Sequence, residues 1–521
     1  MIAVVYHRVV QQQTTVTGLA ASMTILGMGL GNGLVVGDMF ILDLNLATVQ
    51  TGLHCSASTC VFIACLADLT LAATVLGAGV LGDKYGAKRM FIAGACGAGV
   101  FGLLAAAAPN AAVMIVARAC IGMAFAFLCS LSLAIINAVF PVHQRAKAIA
   151  QYLAVIYVFG VAPPAIASLL VKNAGWRSGF LITAVLAILV VAITLRYVPE
   201  TQRTDSKVDV PGLLLVAAAL VGLIYGISKL ENGLQFAALV PIAIGVLAGV
   251  AFVWWERRTD EPALDLGIFR SPRFDAAVIA GAAGRFVEAG GLIMVGYYLI
   301  ILRGTSTQTF ALMIIPAALL SAVAALGAGR AAARLGVRTV MVAGLMIVTL
   351  SLLLRRLFEV DTPIVAVAAV VALTAIGGAI VHTPQVTIMM SSVPTSLGGV
   401  VSAIETSVAS ASTAIGGSLF ALLSIALFDR HLKLSDSGIT GKQALGTLRV
   451  AHAPSALSAP GDGLADPQQV HKVIAEASSS MIDAAHELNL IITIVPVTAI
   501  VLALFLFGRE LPRETRQSAT P

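Results

Sequence analysis

Apolar residues run along this chain in long unbroken stretches, each closed by a short group of Gly, Pro or charged residues. A stretch of roughly 20 apolar residues is enough to cross a hydrocarbon core of about 30 Å as a helix. Inside lipid the backbone has no partner but itself, so a spanning segment is either a helix or a strand of a closed barrel. Barrel strands are about 10 residues long and alternate strictly, whereas "FLITAVLAILVVAITL" (Phe180 to Leu195) does not alternate at all. The pattern therefore predicts an all-α membrane protein. Fourteen spans are expected, starting near positions 18, 57, 90, 111, 148, 177, 210, 235, 276, 306, 338, 362, 398 and 488.

Three polar segments interrupt the apolar runs. "PETQRTDSKVD" (199–209) follows span 6, and "ERRTDEPALDLGIFRSPR" (256–273) follows span 8. A longer stretch, 429–486, separates spans 13 and 14; its first part is rich in Ser, Gly, Ala and Pro, and its last part has helical spacing that leads into span 14. These boundaries divide the chain into residues 1–200 with six spans, 201–262 with two, 263–508 with six, and a tail, 509–521.

Composition agrees with a bilayer environment. Of 521 residues 59% are hydrophobic and 11% charged, with a mean hydropathy of +0.96, against about 25% charged in a soluble domain. The net charge of +6 is spread over short loops and does not form one patch, which argues against a nucleic-acid partner. An even span count puts both termini on one side. With that side cytoplasmic, most of the 32 Lys and Arg fall inside, as the positive-inside rule requires, most clearly in the short loops after spans 2 and 4. The six Cys lie mostly within apolar runs, and Cys55 and Cys60, near a span boundary, read as free thiols. The first apolar run has no small-residue cleavage pattern and reads as a retained span.

The loop between spans 2 and 3, "GVLGDKYGAKR" (Gly79 to Arg89), carries the most specific pattern. Glycines at its ends permit a tight turn and close packing, Asp83 is placed to cap a helix, and Lys88 and Arg89 suit the cytoplasmic face. The string resembles the signature loop of the major facilitator superfamily, G-x-L-x-D-x-x-G-x-[KR]-[RK], at Gly79, Leu81, Asp83, Gly86, Lys88 and Arg89. A weaker echo without the Asp, "GAGRAAARLGVR" (Gly327 to Arg338), follows span 10, where a second repeat belongs. Fourteen spans narrow the likeness to the drug–proton antiporter branch. That branch is also similar in "NAGWRSGFLI" (Asn173 to Ile182), "VDVPGLLL" opening span 7, "ERRTDEPALDLGIFR" before span 9 and "SAIETSVASASTAIGGSLFALL" in span 13. The resemblance implies two six-helix bundles with spans 7 and 8 inserted. It implies alternating access in the plasma membrane, the proton gradient as energy source with no cofactor, and export of amphipathic or cationic small molecules. A monomer is expected.

A charge near the bilayer centre costs about 3 kcal/mol on insertion scales, so each one marks a candidate functional position. They are Asp38 and Asp43 in span 1, Asp68 in span 2, Arg118 in span 4, Arg285 and Glu288 in span 9, and Glu405 in span 13. At about 1.5 Å per residue, Arg118 lies roughly 10 Å below the outer surface and Asp38 at a similar depth, so the two are within pairing reach. Such a pair can exchange a proton as access changes, or be a static ion pair. Asp43 is turned roughly 140° from Asp38 and belongs at the outer interface. Arg285 and Glu288, three apart, share a face and can neutralise each other or line a substrate cavity with Asp68. The family likeness places the proton-coupling positions on Asp38, Arg118 and Glu405, although Phe40 and Ile121 replace the Thr and Gln usual beside the first two.

Span 5 departs from the branch. In place of a G-P-x-x-G-G pattern it has "VFGVAPPAIAS", where Pro163 and Pro164 should kink the helix and Ala167 and Ser168 replace glycines. An enzyme is the weaker reading. "HLKLSD" (His431 to Asp436) matches an acyltransferase spacing without the neighbouring glycines, "GITGK" lacks a phosphate-loop spacing, and His382, His431, His452, His471 and His486 stand apart in sequence with no metal-ligand cluster. A permease for a lipid or metabolite on the same scaffold is the remaining alternative.

Overall fold

The computed structural model of the chain describes residues 17–201, 203, 208–232, 235–259, 262–264, 266–305, 307–393, 397–432 and 467–507. Described residues form helices and no strand. Fourteen helical segments are long and apolar enough to cross a membrane. The first six are α1 (Gly18–Leu53), α2 (Ala57–Tyr85), α3 (Ala87–Ala106), α4 (Ala111–Val139), α5 (Val142–Ala174) and α6 (Arg177–Tyr197). Next come α7 (Val210–Ser228) and α8 (Phe236–Glu256). The second group is α9 (Pro272–Gly296), α10 (Thr307–Leu335), α11 (Val337–Leu354), α12 (Ile364–Ser391), α13 (Gly398–His431), α14 (Pro467–Ile492) and α15 (Ile494–Leu506).

Short polar side chains start several of these helices. Asn110 accepts from the Val113 amide at 3.0 Å, Ser56 from Thr59 at 3.1 Å and Asp209 from Gly212 at 3.1 Å, each satisfying an N–H that has no partner within its helix. Gly86 (φ 100) ends α2 and Gly336 (φ 84) ends α10, so the same positive-φ turn recurs in both halves where only glycine enters without strain. The final span, Ile474–Leu506, starts earlier than position 488 and is assembled from α14 and α15. The break at Thr493 precedes Pro496, whose missing N–H and bulky ring cannot continue α14. Its earlier start escapes an apolar-run count because Glu476 and Ser478 to Ser480 interrupt the run, while Ala477, Ala484 and Leu488 turn a buried face inward.

Helices α1–α6 pack among themselves, as do α9–α15. The halves meet where α2 and α4 touch α13 and where α5 touches α10. The inserted α7 lies against α2 and α13, while α8 packs mainly on α7; Gly222 and Gly245 let these two backbones approach so closely that a Cβ on Gly222 would lie 2.8 Å from the Gly245 Cα. The outer face of α8 is apolar and open, with Phe236 86% exposed, as suits a lipid-facing helix.

One further expectation changes. Cys55 and Cys60 are joined in a disulfide, with Cα atoms 6.6 Å apart, and are not free thiols. His54, at φ 50, reverses the chain after α1 and carries Cys55 back over the first turn of α2. Helix α5 runs unbroken through Pro163 and Pro164; Pro163 packs on α1, about 3.3 Å from where a Cβ on Gly37 would stand. The segment 433–466 of the long loop, the tail 509–521 and the Asp43 side chain lie outside the described residues.

Candidate functional site

Between the two halves lies a cavity of about 420 Å³, within the range of small-molecule sites. Its walls come from α1, α4, α5, α9, α10, α12, α13 and the turn after α11, and most of its lining is apolar. Polar groups gather on the second half. Arg285 of α9 reaches Glu288 at 3.5 Å and donates through Nη2 to the His382 ring, 3.0 Å from Nδ1. His382 of α12 reaches Glu405 of α13, Nε2 to Oε1, at 3.0 Å. An ionised carboxylate only accepts, so the neutral imidazole facing Glu405 carries its proton on Nε2, and Arg285 Nη2, which is also 3.3 Å from Nε2, lies nearer the unprotonated Nδ1. Three helices thus hold one directed chain, Arg285 to His382 to Glu405, on the cavity wall. His382 is not isolated, as its place in the sequence suggested. The signal was present: it is the sole ionisable residue in α12, and such a residue in a span is a functional candidate by default.

The first half holds a different arrangement. Asp38 of α1 and Arg118 of α4 are both fully buried and form an ion pair, and Thr183 of α6 donates to the other Asp38 oxygen at 2.7 Å. The pairing expected from depth is present, yet neither residue lines the cavity. Arg118 keeps Nε and Nη2 without protein partners. Asp68 is exposed on α2 and does not line the cavity either. Nearer the cavity floor, Asn32 donates to the Tyr152 hydroxyl at 2.7 Å, tying α1 to α5.

Arg355, at the end of span 11, is 3% exposed and lines the cavity. A short 3-10 turn, Arg355–Leu357, ends span 11 and directs it inward while Arg356 stays outside. Sequence offers no sign of this, because two adjacent arginines at a span end look alike.

The Gly79 to Arg89 loop lies at the end of the bundle where the halves meet closely, here called the loop end. Asp83 crosses between halves and accepts from the Gly399 and Val400 amides of α13 at 3.0 and 3.2 Å. Gly79 faces Gly399 so tightly that a Cβ on Gly79 would lie 2.5 Å from the Gly399 carbonyl oxygen. Seven residues before Gly336, as Gly79 is before Gly86, Gly329 presses against Ala150 of α5. Lys88 donates its amide to Thr201 at 3.5 Å, and Arg89 pairs with Glu200 at 3.5 Å on the surface.

The family model that describes the Major Facilitator Superfamily matches residues 14–417. The chain belongs to the Major Facilitator Superfamily. Like other members it is a transporter and not an enzyme; the acyltransferase-like His431 is bound to Glu487 at 2.7 Å, and Asp436 lies outside the described residues. Relatives in this superfamily include the multidrug efflux pump LfrA of Mycolicibacterium smegmatis, 26% identical over 82% of this chain and 86% of its own length. The multidrug resistance protein Stp of Mycobacterium tuberculosis is 28% identical over 79% of this chain and 78% of its own. Among solved structures, the human organic anion transporter MFSD10 superposes with a TM-score of 0.58 at 12% identity, covering 92% of this chain and all 100% of that one, a likeness of fold.

Proposed function

We propose that this transporter is a proton-coupled exporter of amphipathic small molecules, working by alternating access. The observation that carries the reading is the Arg285–His382–Glu405 chain on the wall of a cavity between the halves. A carboxylate and an imidazole in contact give a proton two adjacent sites, and a third group competes for one of them. A second proton on His382 must enter at Nδ1, which displaces the Arg285 Nη2 contact. The freed guanidinium then closes on Glu288 and takes the carboxylate that a cationic group on the cargo would use. Proton occupancy and cargo occupancy thereby compete through one side chain, which is the coupling an antiporter needs. Two similar proteins bear efflux and resistance names, which supports outward transport of drug-like cargo.

In this reading the loop end faces the cytoplasm, both termini share that side, the membrane is the plasma membrane and the transporter acts as a monomer. Close packing of Gly79 on Gly399 and Gly329 on Ala150 makes the described state one that is closed on the cytoplasmic side. Asp38 and Arg118, sealed from the cavity here, take part in coupling only in another state. Glu405→Gln tests the assignment in proteoliposomes with an imposed pH gradient. It should lower gradient-driven efflux at least tenfold while folding and cargo binding persist. Efflux at the wild-type rate in that variant would remove Glu405 from the mechanism.

A further inference from the structure

Charge is distributed unevenly around the cavity. Arg285 has Glu288 at 3.5 Å and, through His382, Glu405. Arg118, behind the wall, has Asp38. Arg355 has no carboxylate within 4.0 Å among the described residues. Its hydrogen bonds go to neutral acceptors: Nη1 donates to the Gly291 carbonyl at 3.0 Å and Nη2 to the Thr374 hydroxyl at 2.9 Å, while Nε has no protein partner. Thr374 in turn donates to Ser351 at 2.9 Å. The surroundings fix this guanidinium in place without neutralising it. Gly291 is part of the fit, since a Cβ there would lie 2.3 Å from Nη1.

An unneutralised cation held at 3% exposure inside a membrane protein is costly. Rigid neutral partners and an open cavity wall are the setting in which a guanidinium binds an anion from the cavity. We propose that Arg355 is an anchor for an anionic group on the cargo, so that the favoured substrates are amphipathic acids, carrying a carboxylate on an apolar or aromatic body. The wall beside Arg355 is apolar, at Leu292, Val371 and Ala375, and receives that body. Gly291 stands one helical turn from Glu288, so a zwitterion reaches both charges while a plain cation meets Arg355 as a repulsive neighbour. This deepens the export reading and rests on it only for the word cargo.

Rhodamine B, which has a free carboxylate, and its ethyl ester, which has the same ring system without that charge, isolate the effect. Equilibrium binding to the purified full-length protein in detergent, with no gradient, should favour the acid about tenfold, the worth of one charged hydrogen-bonded contact. Arg355→Gln should erase that preference by weakening the acid, while the ester, relieved of a repulsive neighbour, binds at least as well as before; Arg355→Lys should keep part of the preference. Equal binding of acid and ester by the unaltered protein overturns the anchor, and this arm needs no variant to fold. So does an Arg355→Gln protein that loses both dyes equally, which is the mark of a purely structural role. Gradient-driven movement of the same dyes in proteoliposomes is scored separately. A binding preference without transport leaves the anchor standing and defeats the export reading, whereas transport of both dyes without preference defeats the anchor alone.

Discussion

Asp38 and Arg118 are each fully buried, and among the described residues neither has a second charged partner. Removing one member of such a pair strands the other, at a cost of about 3–5 kcal/mol, while replacing both with apolar groups is often close to neutral. Asp38→Asn alone should therefore lower thermal stability in detergent markedly, and Arg118→Met in the same chain should restore most of it. Loss of transport in Asp38→Asn cannot by itself assign a proton site, because the same change unsettles the fold. This pair was legible before the structure because both residues sit at similar depth in their spans. His382 was legible only as the lone ionisable residue of an apolar span, and Arg355 was not legible at all. A lone histidine is neutral in a tally of charges, and an arginine at a span end is assigned by position to the loop, although a 3-10 turn decides where it points.

At the scale of elements, the decisive contact is a helix capped by a side chain from another helix in the other half. Asp83 supplies two acceptor oxygens to the N-terminus of α13, where the first amides lack partners and the helix dipole favours a negative charge. Asp83→Ala should remove about 1 kcal/mol from the closed loop end, shifting the balance of inward- and outward-open states about fivefold. Spin-label distances across that end would report the shift; an unchanged distribution would show that packing alone keeps it closed. The spans themselves were readable from apolar runs. The start of the last one was not, since an amphipathic helix spreads its apolar residues over one face and never forms a run.

For the whole molecule, two bundles hold the cavity between them and close at one end through small residues. Gly398 of α13 and Ala134 of α4 lie across that closure, and a Cβ on Gly398 would stand 3.5 Å from the Ala134 Cβ, a separation typical of disulfides. Gly398→Cys with Ala134→Cys, once oxidised, should stop turnover while leaving dye binding intact, and reduction should restore turnover; full transport in the oxidised form would mean that this end never opens. The two lines of contact there are unequal. On one, Asp83 reaches over to α13; at the equivalent place on the other stands Ala333, whose methyl cannot accept a hydrogen bond, and Gly329 packs on Ala150. Such a closure resembles a door with its bolt on a single edge: along α5 and α10 packing alone resists opening, whereas the α13 edge must also release Asp83.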